Sequence, residues 1–153
     1  MSLNSLEEIA SYIVSDGKGI LAADESNPTC GKRFDSIGVE STEDNRRDYR
    51  EMLFRSSGME GNIGGVILFD ETIRQNAKDG TPLVNIINNQ GALPGIKVDK
   101  GLQTIGDSEE TVTVGIDGLD DRLKEYVSMG AKFTKWRAVI KIGEGIPTDK
   151  CID

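Results

Sequence analysis

The sequence predicts an α/β protein whose strands form a parallel sheet. Short apolar runs typical of buried strands alternate with capped or amphipathic helical segments along the first 142 residues, which is the pattern of βα units. The chain has 153 residues, of which 37% are hydrophobic, and this is enough for one domain with a real core. We therefore expect a single domain over residues 1–153, with no internal boundary.

The first βα segments can be placed from their end signals. Ser5–Glu8 is a capping box that opens a helix, and Gly19–Asp24 is a short apolar run ending in a carboxylate, which predicts a buried strand. We expect a polar loop over Glu25–Gly31, because this stretch contains both glycine and proline. A second helix is predicted to start near Ser41 or Thr42, with acidic residues in its first turn.

The rest of the chain continues the alternation of strands and helices. The expected elements, in chain order, are strand Ile63–Phe69, helices Asp70–Ala77 and Pro82–Asn88, strand Gly95–Lys100, helix Asp120–Met129, strand Lys132–Ile142 and a helix opening at Ile146–Asp149. That last helix opens only a few residues before the sequence ends. Because a helix needs more than one turn to be stable, this signal predicts either that the sequence breaks off inside a fold or that its last residues are a frayed tail.

Composition excludes several classes of function. The chain has no histidine, which rules out Ser-His-Asp and Cys-His nucleophiles, HExxH zinc sites and imidazole acid–base chemistry within it. The net charge of −8 argues against nucleic-acid or acidic-membrane binding, and the longest apolar run is too short to span a bilayer. Cys30 and Cys151 lack metal-ligand spacing and are expected to be reduced thiols. With no signal or transit peptide at the N-terminus, we expect a cytoplasmic protein.

Charged residues occur near the ends of the predicted strands. Side chains alternate along a strand, so Lys97 and Asp99 share one face, as do Lys135 and Arg137, and Asp24 ends the first strand. Parallel α/β folds bind ligands at the carboxyl ends of their strands. These charges either pair with one another or receive a charged ligand. A lysine crowded by cations also becomes a nucleophile for carbonyls, so the residues predict a phosphate- or carbonyl-handling site.

From about residue 5 to the end, the chain carries an ordered series of motifs that resembles the class I fructose-bisphosphate aldolases, the Schiff-base, metal-independent type. The segments that carry the resemblance are Gly17–Ser26, Lys32-Arg33 with Ser36–Gly38, Thr42–Arg47 with Tyr49-Arg50, Gly64–Phe69, Gly95–Gly101, Gly118-Leu119 and Lys135–Arg137. The resemblance implies an eight-stranded (β/α) barrel of the TIM type, of which this chain covers about the first four βα units, a half barrel. It also implies that the Schiff-base lysine lies on a later strand, outside this chain.

The resemblance assigns roles to individual residues. Asp24 would assist proton transfer and charge handling around carbon–carbon cleavage, and Lys135 would lie beside the Schiff-base lysine and contact the substrate. Lys97 and Arg137 would bind hydroxyl and phosphate oxygens. The remaining substrate-binding residues that the resemblance implies are Ser26, Thr29, Arg33 and Arg46.

The function implied is reversible cleavage of fructose 1,6-bisphosphate into dihydroxyacetone phosphate and glyceraldehyde 3-phosphate through a lysine imine, in glycolysis and gluconeogenesis. We expect no metal and no cofactor, a sugar-phosphate substrate, a homotetramer for the complete protein and a cytoplasmic location, with a plastid address left open. Two alternatives remain. One is a noncatalytic half barrel that acts as a binding or interaction module, and the other is a diverged lysine-dependent lyase acting on another phosphosugar.

Overall fold

The computed structural model describes residue 3 and residues 5–153. Its strands are β1 (Gly19–Ala23), β2 (Ile63–Leu68), β3 (Leu93–Lys97), β4 (Leu102–Thr104), β5 (Thr111–Thr113) and β6 (Phe133–Lys135). Four of them form a sheet in the order β1-β2-β3-β6, with every neighbouring pair parallel. The parallel α/β architecture predicted from the sequence is therefore confirmed.

Helices connect the strands, and their ends follow from the capping residues. They are α1 (Leu6–Ile13), α2 (Asn27–Asp35), α3 (Glu43–Phe54), α4 (Met59–Asn62), α5 (Asp70–Ile73), α6 (Leu83–Asn89), α7 (Leu119–Ser128) and α8 (Asp149–Ile152). Ser5 forms the predicted capping box at the start of α1. Thr42 caps α3 by accepting a hydrogen bond from the Asn45 backbone N–H at 3.1 Å, as the sequence predicted.

The hydrophobic core lies between the sheet and the helices on its outer face. Leu68 and Ile96 from the central strands are fully buried, together with Phe54 of α3 and Leu83 and Ile87 of α6. Burial of side chains of this size stabilises the fold by about 1.5–3 kcal/mol each. The central strands are thus held by helix packing, and their outward residues are unavailable for chemistry.

On the opposite, inner face of the sheet, one aromatic ring fills the space above two glycines. Phe133 of β6 lies across Gly95 of β3 and Gly65 of β2. A Cβ atom added to Gly95 would lie 2.3 Å from Phe133 Cζ, and one added to Gly65 would lie 3.0 Å from the same ring. Glycine is therefore required at residue 95 because the ring occupies the volume of any side chain.

Two boundaries differ from the predicted ones, since α5 ends at Ile73 instead of Ala77 and β3 covers Leu93–Lys97 instead of Gly95–Lys100. Two further sequence predictions about secondary structure are wrong. The first is the loop over Glu25–Gly31, where α2 begins at Asn27. Pro28 sits in the first turn, where proline is tolerated, and burial of Cys30 and Phe34 outweighs the low helix propensity of Gly31. Tertiary packing therefore overrides the local signal.

The second wrong prediction is the length of the last strand, which ends at Lys135 and does not reach Ile142. Its partner β3 ends at Lys97, earlier than predicted, so no ladder remains for the following residues. Arg137 therefore lies beyond the sheet, and its backbone is bonded to side chains from another part of the chain.

An antiparallel hairpin after β3 was not foreseen. Strands β4 and β5 pair with Leu102 opposite Thr113 and Thr104 opposite Thr111. Both strands have three residues and partly polar sequences, so they give little of the apolar alternation that marks a strand. The hairpin extends the connection between β3 and α7 at the carboxyl end of the sheet.

Candidate active site

A carboxylate and an ammonium group from the two outer strands meet across the inner face of the sheet. Asp24 follows β1 and Lys135 ends β6, and Lys135 Nζ lies 2.6 Å from Asp24 Oδ2. Three strand spacings separate β1 from β6, which is about 14 Å along a flat sheet. The contact therefore requires the sheet to curl, with both side chains reaching across its concave face. Curvature of this kind is what closes a parallel barrel.

Lys97 lies in the same strand-end row as Lys135, because the two residues are register partners of β3 and β6. Its ammonium group donates to Asp99 Oδ2 at 2.7 Å and to the Asp99 carbonyl at 2.8 Å. Asp99 also accepts a hydrogen bond from the backbone N–H of Arg137 at 3.3 Å through its other oxygen. One carboxylate therefore contacts two of the residues for which the sequence predicted substrate binding.

The ionisation of Asp99 follows from these contacts. Burial by itself would raise the pKa of Asp99, but the hydrogen bond and charge of Lys97 and the backbone donors of Arg137 and Gly101 outweigh burial. The net result is a pKa below the ordinary value for aspartate. Asp99 is thus an anion at neutral pH and serves as counter-charge to Lys97.

A cavity of about 710 Å³ opens at this edge of the sheet. Ser26, Lys97 and Arg137 are part of its wall. The rest of the wall is formed by Phe69, Asp70, Arg74, Asp99, Lys100, Gly101, Arg122, Glu125 and Tyr126. Five cationic and three acidic side chains line the cavity, so this surface carries a formal excess of positive charge in a chain whose net charge is −8.

The far wall of the cavity is a network between α5 and α7. Arg74 contacts Asp70 at 2.9 Å and Glu125 at 2.5 Å, and Tyr126 donates to Asp70 at 2.9 Å. Burial alone would raise the pKa of Asp70, but hydrogen bonds from Arg74 and Tyr126 lower it below the ordinary value. The pKa of Arg74 is raised by its hydrogen bonds to Glu125 and Asp70. These charges are neutralised within the protein.

Ser26 and Thr29 lie at the start of α2, where their hydroxyl oxygens are 3.1 Å apart. Arg33, later in the same helix, pairs with Glu25 at 2.9 Å, and its side chain is 57% exposed. The buried Arg50 approaches the same carboxylate at 3.0 Å. The start of α2, which the sequence predicts as a loop, is therefore fixed to α3 through Glu25.

Arg46 is held away from the cavity. Its guanidinium group makes two hydrogen bonds to Glu71, at 2.8 Å and 2.7 Å, and only 12% of its side chain is exposed. The hydrogen bonds from Arg46 lower the pKa of Glu71. Within the described chain, Arg46 thus has a structural ion pair. Thr29 and Arg33 likewise lie outside the cavity wall, as do Asp24 and Lys135.

Two residues in contact with the predicted site were not singled out from the sequence. The sequence pattern places Asp99 on the same face as Lys97 without giving it a role, and it gives no role to Thr113, which donates to the Arg137 carbonyl at 2.7 Å. The alternation that places Lys97 and Asp99 on one face was a sufficient signal for Asp99. Thr113 carried no such signal, because its contact depends on a hairpin that the sequence pattern does not reveal.

The arrangement supplies acidic and basic groups and anion-binding groups at one edge of a parallel sheet. Lysine and arginine side chains bind phosphate oxygens, and a paired carboxylate and ammonium group can exchange protons with a substrate. Among residues 3 and 5–153, no group of three or more His, Cys, Asp or Glu side chains is placed to hold a metal ion. Over the same residues, no helix is both long and apolar enough to cross a bilayer.

A curled parallel sheet with helices on its outer face and charged strand ends is typical of part of a (β/α) barrel. A family model described as class-I fructose-bisphosphate aldolase matches residues 5–153. The chain therefore belongs to the class-I fructose-bisphosphate aldolase family, as the motifs predicted. The partial TIM barrel expected from that resemblance is also confirmed by a solved relative, described next.

Relatives cover the whole chain. It is 53% identical over 154 aligned residues to a probable class 1 fructose-bisphosphate aldolase of Xanthomonas campestris, with 100% of this chain and 46% of that protein covered. It is 54% identical over 144 residues to a cytosolic fructose-bisphosphate aldolase of Arabidopsis thaliana, with 94% and 40% covered. The chain spans about half the length of the curated relatives it matches.

A solved structure shows the same fold. It is the fructose-bisphosphate aldolase of Plasmodium falciparum, crystallised with TRAP and a small-molecule inhibitor. The TM-score is 0.90 at 50% sequence identity, over 94% of this chain and 42% of that protein.

Proposed function

We propose that this chain supplies the first half of an aldolase active site that cleaves fructose 1,6-bisphosphate reversibly into dihydroxyacetone phosphate and glyceraldehyde 3-phosphate. The reaction proceeds through an imine on a lysine that the family resemblance assigns to a later strand. Asp24 and Lys135 are the acid–base pair of this half. Lys97 and Arg137 bind substrate oxygens, and Ser26, which lines the same cavity, is a hydroxyl donor.

The observation that carries the proposal is the contact between Asp24 and Lys135. The two groups come from opposite edges of the sheet, and they meet at 2.6 Å on its concave face. Cleavage of a carbon–carbon bond beside an alcohol carbon forms an aldehyde, so the hydroxyl proton has to be transferred. A carboxylate and an ammonium group held in contact at the strand ends are suited to accept and return it.

The remaining predicted residues complete the proposal for the whole protein. Thr29 and Arg33 contribute to binding of the second phosphate, and Arg46 is a weaker candidate because Glu71 already occupies its guanidinium group. The imine route uses a lysine nucleophile, and zinc-dependent alternatives need histidine ligands, which this chain lacks. We also propose a homotetramer, a cytoplasmic location and a single domain over residues 1–153.

The test joins this chain to the remaining part of the Xanthomonas campestris relative, whose N-terminal part the chain matches. Turnover of fructose 1,6-bisphosphate is measured for the chimera and for Asp24→Asn and Lys135→Met. Loss of a positioned acid–base group lowers kcat by about 10²-fold or more. Lys32→Met is the matched control, because Lys32 is exposed and outside the proposed site.

Three results would contradict the proposal. The first is full turnover in Asp24→Asn or Lys135→Met. The second comes from borohydride reduction of the 153-residue chain with dihydroxyacetone phosphate, which is expected to leave no covalent adduct. An adduct on Lys97 or Lys135 would place the nucleophile in this half. The third is binding of fructose 1,6-bisphosphate by the chimera without turnover, which would favour the noncatalytic alternative.

A further inference from the structure

The backbone of Arg137 is held on both sides by side chains from the preceding connection. Its N–H donates to Asp99 Oδ1 at 3.3 Å, and its carbonyl accepts from the Thr113 hydroxyl at 2.7 Å. Arg137 lies two residues beyond the end of β6, so the sheet ladder does not fix its position. These two hydrogen bonds take the place of the missing ladder.

Asp99 makes a second contact, because its other carboxylate oxygen accepts a hydrogen bond from Lys97 Nζ at 2.7 Å. The Asp99 side chain is only 4% exposed and that of Lys97 is 20% exposed. A buried carboxylate with fixed donors on both oxygens has little freedom to turn. Asp99 therefore sets the distance between the Lys97 ammonium group and the Arg137 backbone.

Thr113 is fixed because the base of its hairpin is tied to the end of β3. The Lys100 N–H donates to the Val114 carbonyl at 2.8 Å, and the Val114 N–H donates to the Gly101 carbonyl at 2.9 Å. Gly115 follows with a φ of +128°, and a Cβ there would lie 3.0 Å from the Lys100 nitrogen. The hairpin thus transmits the position of β3 to the segment that follows β6.

We propose that Asp99 and Thr113 are positioning residues that set the placement of Lys97 and Arg137 and so determine how tightly the site holds a sugar phosphate. The inference rests on the proposed function, in which Lys97 and Arg137 bind substrate oxygens. Neither Asp99 nor Thr113 need touch the substrate. Because the cations bind the phosphate in both ground and transition states, their displacement raises KM more than it lowers kcat.

The first test compares threonine variants of the chimera. Thr113→Val keeps the side-chain shape and removes the hydroxyl, and it is expected to raise KM for fructose 1,6-bisphosphate about fivefold, with kcat changed less than about twofold. Thr113→Ser keeps the hydroxyl and is expected to restore KM. Thr111→Val is the control, since Thr111 lies on the same strand and its hydroxyl has no hydrogen-bond partner among the described residues.

The second test separates the two contacts of Asp99, with the Lys97 ammonium group and with the Arg137 backbone N–H. Asp99→Asn keeps an oxygen acceptor for the Arg137 N–H but removes the charge beside Lys97, and it is expected to raise KM about tenfold. Asp99→Ala removes both contacts. Hydrogen exchange at the Arg137 amide, measured without substrate by mass spectrometry, is expected to accelerate about tenfold in Asp99→Ala and less in Asp99→Asn.

Amide exchange reports whether Asp99 positions the Arg137 backbone, and the kinetic measurement reports whether the chimera is an aldolase. Failure of the positioning inference can therefore be distinguished from failure of the proposed function. A chimera without aldolase turnover would end the proposed function, while amide exchange would still test the positioning. Unchanged exchange in Asp99→Ala would overturn the inference. So would an unchanged KM in both Thr113→Val and Asp99→Asn of an active chimera, or an equal rise of KM in Thr111→Val.

Discussion

The close approach of Phe133 to Gly95 predicts a large steric cost for one added methyl group. In Gly95→Ala the new Cβ would lie 2.3, 2.4 and 2.7 Å from three atoms of the Phe133 ring. Carbon atoms in contact are separated by about 3.5–4.0 Å, so the ring has to move by more than about 1 Å. Overpacking of this kind costs about 1–3 kcal/mol of unfolding free energy, and we expect the upper part of that range because both strands are held by the sheet.

A double-mutant cycle tests the steric origin of that cost. Phe133→Ala removes the ring, so Gly95→Ala is expected to cost less than about 0.5 kcal/mol in that background, which gives a coupling energy of about 2 kcal/mol. Gly19→Ala is the control, because a Cβ at residue 19 has no atom within 4 Å. We expect its free energy of unfolding to change by less than about 0.5 kcal/mol.

The assay is urea unfolding of the 153-residue chain, followed by circular dichroism and by the fluorescence of its one tryptophan. At about 1–3 kcal/mol per molar urea, a loss of about 2 kcal/mol moves the midpoint by about 1 M. Equal costs of Gly95→Ala with and without the Phe133 ring would refute the reasoning, since the methyl group would then be acting elsewhere.

Three further variants test the ion pairs away from the sheet. Arg50→Met removes the buried partner of the Glu25 carboxylate, 3.0 Å away, and the donor to the Glu25 carbonyl at 2.9 Å, while Arg33 still pairs with that carboxylate. Urea unfolding should therefore show a loss of about 1–3 kcal/mol, and an unchanged midpoint would contradict this. The pKa of Glu71 lies below its ordinary 4.5, so the stabilisation from its ion pair is complete above that value and is lost as the pH falls. Glu71→Gln should therefore make stability less dependent on pH at the acid side, and curves of the same slope for both proteins would refute this linkage. Lys141 pairs with an exposed glutamate, so Lys141→Gln should change the unfolding free energy by less than about 1 kcal/mol, and a larger loss would show that the pair is not screened.

Elements with strong local signals were predicted well from the sequence. The capping box at Ser5 and the N-cap at Thr42 mark helix starts that the structure contains. The run from Ile63 gives β2 almost to the residue, because a central strand buried on both faces is continuously apolar. In these segments, local propensity and tertiary packing favour the same conformation.

Elements that depend on long-range contacts were missed. Helix α2 contains both a proline and a glycine and is stabilised by burial of Cys30 and Phe34, which no local pattern reports. The end of β6 at Lys135 is set by where β3 ends, and this is a property of the partner strand. A sequence pattern contains no information about a partner's length, so it extended the strand through Arg137 to Ile142.

In the candidate site too, the features set by local sequence were predicted and those set by long-range contacts were not. Strand alternation was sufficient to bring Lys97 and Lys135 to one row of the sheet, because alternation is a local property of the backbone. It could not show that Arg46 is taken up by Glu71, or that Asp24 reaches Lys135 across the concave face. Those contacts depend on helix docking and on sheet curvature.

The charged residues of the inner face are confined to its last row, and packing explains why. One row further into the sheet, Gly95 and Phe133 face each other, and the ring fills the space without offering a polar partner. In the next row, Lys97 and Lys135 are mostly buried. Charges at this depth are tolerated only where counter-charges reach them, and here the two counter-charges come from the residues just beyond the strand ends.

The cations of the site are therefore neutralised before any substrate arrives. Lys135 is paired with Asp24, and Lys97 is paired with Asp99, so the site does not need a bound anion to remain folded. The two carboxylates hold the ammonium groups in place before a phosphate binds, so binding adds little cost for ordering these side chains. The proposed site thus has a fixed geometry, which is the condition under which acid–base groups act on a substrate without prior rearrangement.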